Sequence, residues 1–134
     1  MTTALDSMVL IDLFQQEPGW APRAAVAIDR AIQSGRVIVC DVVWAEVAGR
    51  FTTDAQLASA MAELSVEFDG VSEKAATTAG RLWRNFRRSG GGRRDRIVPD
   101  FLVGAHALDR ADALLTRDRG FYRQYFKGLQ VIEP

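Results

Sequence analysis

The sequence is poor in cysteine and lysine, opens without a basic leader and contains no long apolar run. Cys40 is the only cysteine in 134 residues, so no intrachain disulfide staples the fold. At the end of Val37-Ile38-Val39 it reads as a small buried apolar residue, and no Cys/His set with zinc-ligand spacing surrounds it. No apolar stretch approaches the roughly 20 residues that span a bilayer, and the N-terminus lacks a basic start followed by an apolar core. The expected location is therefore the cytoplasm, with no membrane partner. Basic and acidic residues number 17 each, which excludes an all-over basic coat for nucleic acid.

What is present is ordinary for a globular domain: 48% hydrophobic and 25% charged residues, in a length that suits one domain over 1–134. Lys74 and Lys127 are the only lysines among the 17 basic residues. Arginine supplies the rest, much of it between Arg81 and Arg96. Its planar fork suits phosphate and carboxylate, which points to an anionic partner, although a GC-rich genome produces the same bias.

Along the chain, short apolar runs alternate with helical patterns. Thr3 to Leu5 reads as a buried strand and Asp6-Ser7 as a turn. A helix follows with Val9, Leu10, Leu13 and Phe14 inward. Pro22 opens an amphipathic helix with Ala25, Ile28 and Ile32 on one face, stopped by Ser34-Gly35. Val37 to Cys40 is the second strand, and Asp41 is the expected N-cap of a helix running through Ala48. On that helix Glu46 lies three and four residues after Val43 and Val42, which turns it toward the interior or its rim; Arg50 is a candidate partner. Thr53-Asp54-Ala55-Gln56 has the form of a capping box, ahead of Leu57 and Met61. Val66-Glu67-Phe68 is a third strand. Ser72 is the expected cap of a long helix burying Ala75, Ala79, Leu82, Trp83 and Phe86, with Arg81, Arg84 and Arg88 on another side. Ser89-Gly90-Gly91-Gly92-Arg93-Arg94 reads as a mobile basic loop. Pro99 and Asp100 open the next helix, Ala113 to Thr116 is a fourth strand with Asp118 just past it, and Gln130 to Ile132 is an edge strand. This alternation predicts a single α/β domain: a mainly parallel sheet of about five strands with helices on both faces.

In such a sheet, functional groups gather outside the carboxyl ends of the strands. Asp6 and Asp118 follow strands, Asp100 sits in a first helical turn, and Glu46 can reach the same edge. Each has a plain structural alternative, as a helix cap, a dipole complement or an ion-pair partner. All four together point to a shared site. Carboxylates about 4 Å apart repel by roughly 4 kcal/mol per pair at an effective dielectric of 20, so the cluster must take up protons or bind a hard cation. Carboxylate and water ligands suit Mg²⁺ or Mn²⁺.

Asp6-Ser7-Met8-Val9-Leu10, the inner Glu46, Ile97-Val98-Pro99-Asp100-Phe101 with Ala105-His106-Ala107, and Leu114-Leu115-Thr116-Arg117-Asp118-Arg119-Gly120-Phe121-Tyr122 resemble the PIN-domain family. Within it they are most similar to VapC-type toxins of bacterial toxin–antitoxin pairs. The resemblance implies a Mg²⁺- or Mn²⁺-dependent endoribonuclease with Asp6, Glu46, Asp100 and Asp118 as the acidic set and Ser7 and Thr116 as supporting hydroxyls. It also implies a homodimer and a VapB-type antitoxin that folds over the acids. Met8 and Gly120 depart from the family's commoner residues without removing an acid. The expected chemistry is attack of metal-activated water on an RNA phosphodiester, with Asp6, Asp118 and then Asp100 as ligands and Glu46 as ligand, orienter or base. Arg81, Arg84, Arg87, Arg88, Arg93, Arg94 and Arg96 are candidates to track single-stranded or looped RNA, against the alternative of a solvated helix face. His106 and the tryptophans Trp20, Trp44 and Trp83 read as packing residues. The chain has no DNA-reading helix-turn-helix, so any DNA contact would come through the antitoxin. The rival expectations are a non-catalytic RNA- or protein-binding module on the same fold, and a phosphoryl-transfer domain with Asp6 as nucleophile.

Overall fold

Five short segments pair into one sheet: β1 (Thr3–Leu5), β2 (Val37–Val39), β3 (Val66–Phe68), β4 (Ala113–Leu115) and β5 (Gln130–Ile132). The computed structural model describes residues 1–90 and 98–134. Arg93, Arg94, Arg96 and most of the glycine-rich basic loop lie outside the described residues. The strand order is β3-β2-β1-β4-β5 and every pairing is parallel, with Leu5 opposite Leu115 and Ala4 opposite Leu114. The three central strands β1, β2 and β4 are buried along their whole length, as expected where helices cover both faces. The expected fold class is the one found.

The helices are α1 (Ser7–Phe14), α2 (Ala21–Ser34), α3 (Asp41–Ala48), α4 (Asp54–Glu63), α5 (Glu73–Arg88), α6 (Val98–Arg110) and α7 (Phe121–Tyr125). Their ends follow local chemistry. Pro22 lies in the first turn of α2. The Thr53 hydroxyl accepts the Gln56 N–H at 3.2 Å, and the Ser72 hydroxyl accepts the Ala75 N–H at 3.0 Å, satisfying donors that the first turn cannot. Gly104, inside α6, allows a close approach: a Cβ there would run into the Phe126 ring. Phe126 belongs to an aromatic cluster with Phe86, Phe101, Phe121 and Tyr125 that binds α7 to α5 and α6. No helix among the described residues is long and apolar enough to cross a membrane.

The structure corrects three local expectations. In α1 the buried residues include Ile11 and Asp12, while Leu13 and Phe14 are only partly covered. In α2 the buried face is Ala24, Ile28 and Ala31, and Ala25 is exposed. An alanine-rich helix offers several apolar stripes, and packing against α1 selects one. Asp41 is the first residue of α3, not its cap. Cys40 takes the cap position, and the Asp41 carboxylate instead accepts the Val71 N–H at 3.2 Å, tying down the segment after β3. Glu46 takes the rim, one of the two positions its spacing allowed, because Val43 and Val47 fill the inner face of α3.

Candidate active site

The chain runs outward from β1 to β2 and β3, then returns across β1 to β4 and β5. The crevice beyond the carboxyl ends of β1 and β4 is thus the point where the strand order reverses, the usual ligand position in an open parallel sheet. Asp6 follows β1 directly. Its N–H donates to the Leu115 carbonyl of β4 at 2.9 Å, which pins it to the neighbouring strand. One carboxylate oxygen, Oδ1, accepts the Ser7 N–H at 2.8 Å at the start of α1, and Oδ2 accepts the Thr116 hydroxyl at 2.7 Å. Asp6 is therefore a helix cap and also part of a polar cluster; the two roles considered for it coexist.

Thr116, fully buried just past β4, joins the first acid to the last. Its hydroxyl donates to Asp6 and accepts the Asp118 N–H at 3.1 Å. Asp118 Oδ1 in turn accepts the N–H groups of Gly120 and Phe121, at 3.1 and 2.9 Å, at the entry to α7. The carboxylate is thus held by its own loop. Asp100 lies half-buried in the first turn of α6, and Glu46 approaches from α3. Glu46 is close enough to Asp6 and Asp100 to feel both. Partial burial is the largest cause raising its carboxyl above the ordinary value of 4.5, the Asp6 charge adds to it, the hydrogen-bonded Ser7 hydroxyl opposes it, and Asp100 contributes least. Asp6, Glu46 and Asp100 therefore share one electrostatic field, and Thr116 couples Asp118 to Asp6.

The donor set consists of carboxylate oxygens, with neither His nor Cys among them, which matches a hard cation such as Mg²⁺ or Mn²⁺. Among the described residues no three His, Cys, Asp or Glu side chains converge tightly enough to enclose an ion unaided. Mg²⁺ is ordinarily held by one or two carboxylates together with water and substrate phosphate, so an open acidic crevice suits it.

Other candidates fall elsewhere. His106 is buried two turns along α6 and is hydrogen-bonded to Asp69 at 2.8 Å. Asp69 also takes two bonds from Arg110, at 3.1 and 3.0 Å. The Arg110 bonds are the main reason that the Asp69 carboxyl lies below its ordinary range. Arg81, Arg84, Arg87 and Arg88 are exposed on α5, with the Arg87 guanidinium 4.3 Å from the centre of the Trp83 ring. Trp44 packs edge-on against Phe68.

Sequence reasoning missed Asp12. It is 2% exposed on α1, and its Oδ2 lies 3.4 Å from Arg117 Nε. Arg117, between Thr116 and Asp118, also lies over Trp20, with 4.5 Å between its guanidinium carbon and the ring centre. Burial raises the Asp12 carboxyl, and the Arg117 charge opposes that rise. The pair anchors the loop that carries Thr116 and Asp118. The only sequence signal for it is an acidic residue inside an otherwise apolar stretch, Val9 to Phe14.

The PIN domain family model matches residues 3–127. Solved structures with a similar fold include VapBC2 from Rickettsia felis bound to a DNA fragment from its promoter. There the TM-score is 0.75 at 16% identity, covering 100% of this chain and 99% of that one. VapBC-1 from nontypeable Haemophilus influenzae matches with a TM-score of 0.71 at 20% identity, covering 99% and 98%. VapBC-5 from Mycobacterium tuberculosis matches at 0.60 and 22%, covering 99% and 98%. No curated protein matches the chain by sequence.

Proposed function

The chain belongs to the PIN-domain family, and from that premise we propose that it is a VapC-type toxin, a Mg²⁺- or Mn²⁺-dependent endoribonuclease paired with a VapB-type antitoxin. The observation that supports this most is the coupling of four acids at the strand-order reversal: Thr116 bridges Asp6 and Asp118, while Glu46 lies in the field of Asp6 and Asp100.

In this reading Asp6, Asp118 and Asp100 are the candidate ligands, of which one or two would bind the cation directly and the rest would act through its water. When bound, it lowers the pKa of water and neutralises charge on the phosphodiester. The protein's part is orientation. Ser7 N–H and the Thr116 hydroxyl fix both oxygens of Asp6, and the Gly120 and Phe121 N–H groups fix one oxygen of Asp118. Ligands held this way need no rearrangement when substrate arrives. Glu46, at the rim beside Asp6 and Asp100, is the group suited to take a proton from the attacking water. In the hydrolysis the water oxygen bonds to phosphorus, a ribose oxygen leaves, and a proton returns to that oxygen.

The VapBC complexes among the structural relatives support an antitoxin partner, whose inserted Arg or Lys an acidic crevice would attract. The structure of VapBC2 on promoter DNA supports DNA contact through the complex and its antitoxin. A homodimer in the cytoplasm completes the reading, carried by the family resemblance.

The test is cleavage of single-stranded RNA by the wild type and by Asp6→Asn, each with Mg²⁺ and with EDTA. Cleavage by the wild type in Mg²⁺ alone is the expected result. Equal cleavage in all four conditions would refute the proposal.

A further inference from the structure

α7 begins at the acidic crevice, where Asp118 caps the Phe121 N–H, and ends beside a second cavity of about 530 Å³ between α5, α6 and the segment after α7. Five helical residues span roughly 7 Å, about the length of two stacked nucleotides. Arg81 of α5 and Lys127, both exposed, line this groove, together with the amides of Asn85 and Gln124. Phe86 and half-buried Tyr125, whose ring centres are 5.7 Å apart, supply aromatic wall. Among the described residues that line it there is no carboxylate.

That combination differs from a solvated arginine face. Cations at the lip attract phosphate, side-chain amides can donate to and accept from a base edge, and an aromatic wall offers a surface for an unstacked base. The volume falls within the range of small-ligand pockets. An acidic peptide would use the cations but would gain little from paired amides beside an aromatic wall.

We propose that the α5–α7 groove binds a nucleotide of single-stranded RNA flanking the one at the acidic crevice, with Arg81 and Lys127 on its phosphates, Asn85 and Gln124 on its base edge and Tyr125 against its ring. The inference rests on the ribonuclease reading for its choice of ligand, but binding is measurable without turnover.

The experiment is fluorescence anisotropy with a labelled single-stranded RNA of mixed sequence, about 12 nucleotides long, in EDTA. The Arg81→Ala, Lys127→Ala double variant should bind roughly tenfold more weakly, and the slope of log affinity against log salt should shrink by about 1.4. Asn85→Ala should weaken binding with no change in that slope, and the charge-keeping pair Arg81→Lys, Lys127→Arg should retain affinity. An unchanged dissociation constant and slope in the double alanine variant would overturn the proposal. So would binding of poly-glutamate as tight as that of RNA. If the substitutions weaken RNA binding as expected but the wild type fails to cleave RNA in Mg²⁺, the groove stands and the ribonuclease reading falls.

Discussion

Thr116 shows how one residue can organise a site that has no covalent link between its parts. Its hydroxyl is a donor to Asp6 and an acceptor for the Asp118 N–H, so Thr116→Val, nearly the same shape, removes both bonds at once. RNA cleavage should fall about 10- to 100-fold, the effect usual for a group that orients ligands; kcat/KM for the purified variant is the measurement. Past the carboxyl end of β3, Asp69 is the partner of buried His106. Asp69→Ala should destabilise the fold by about 1–3 kcal/mol at neutral pH, because it strands a buried polar ring. The sign with pH follows from the depressed Asp69 carboxyl. Its contribution is fully present above the ordinary value of 3.8 and is lost as pH falls through the lower folded value. The gap between wild type and variant in urea unfolding should therefore narrow below pH 3.8. At this scale the sequence showed Asp6 and Asp118 plainly, since each follows a short apolar strand. It hid Asp12, because the ion pair depends on Arg117, which only the parallel pairing of β1 with β4 brings close.

Among the elements, the strands were more legible than the helix faces. An apolar run of three or four residues bounded by Gly or Asp has one reading, and all five strands lie where the sequence suggested. α2 contains several alanines, and the choice of Ala24 over Ala25 as a buried residue depends on how the helix packs against α1. Spacing alone leaves Glu46 between the interior and its rim, and Val43 and Val47 decide for the rim by filling the inner face of α3. α6 carries a further requirement that its sequence does not announce, namely that Gly104 must lack a side chain for Phe126 to seat. Gly104→Ala would gain helix propensity yet should destabilise the protein by about 1–3 kcal/mol through overpacking. Its melting temperature should fall, where an uncrowded helical glycine would give a rise.

For the whole molecule, the strand order β3-β2-β1-β4-β5 matters more than any single pairing. It brings residue 6 and residue 118 to one crevice, and α7 leads from that crevice to the α5–α7 groove. The zero net charge hides this polarity, with acids gathered at the crevice and arginines along α5. The proposed activity requires the crevice to cut RNA internally. The most direct measurement is to map RNA ends by sequencing after induced expression of the wild type and of Asp6→Asn in the same bacterial host. Recurrent new internal ends should arise with the wild type and be lost with Asp6→Asn; identical end profiles for the two proteins would rule out cleavage by the crevice.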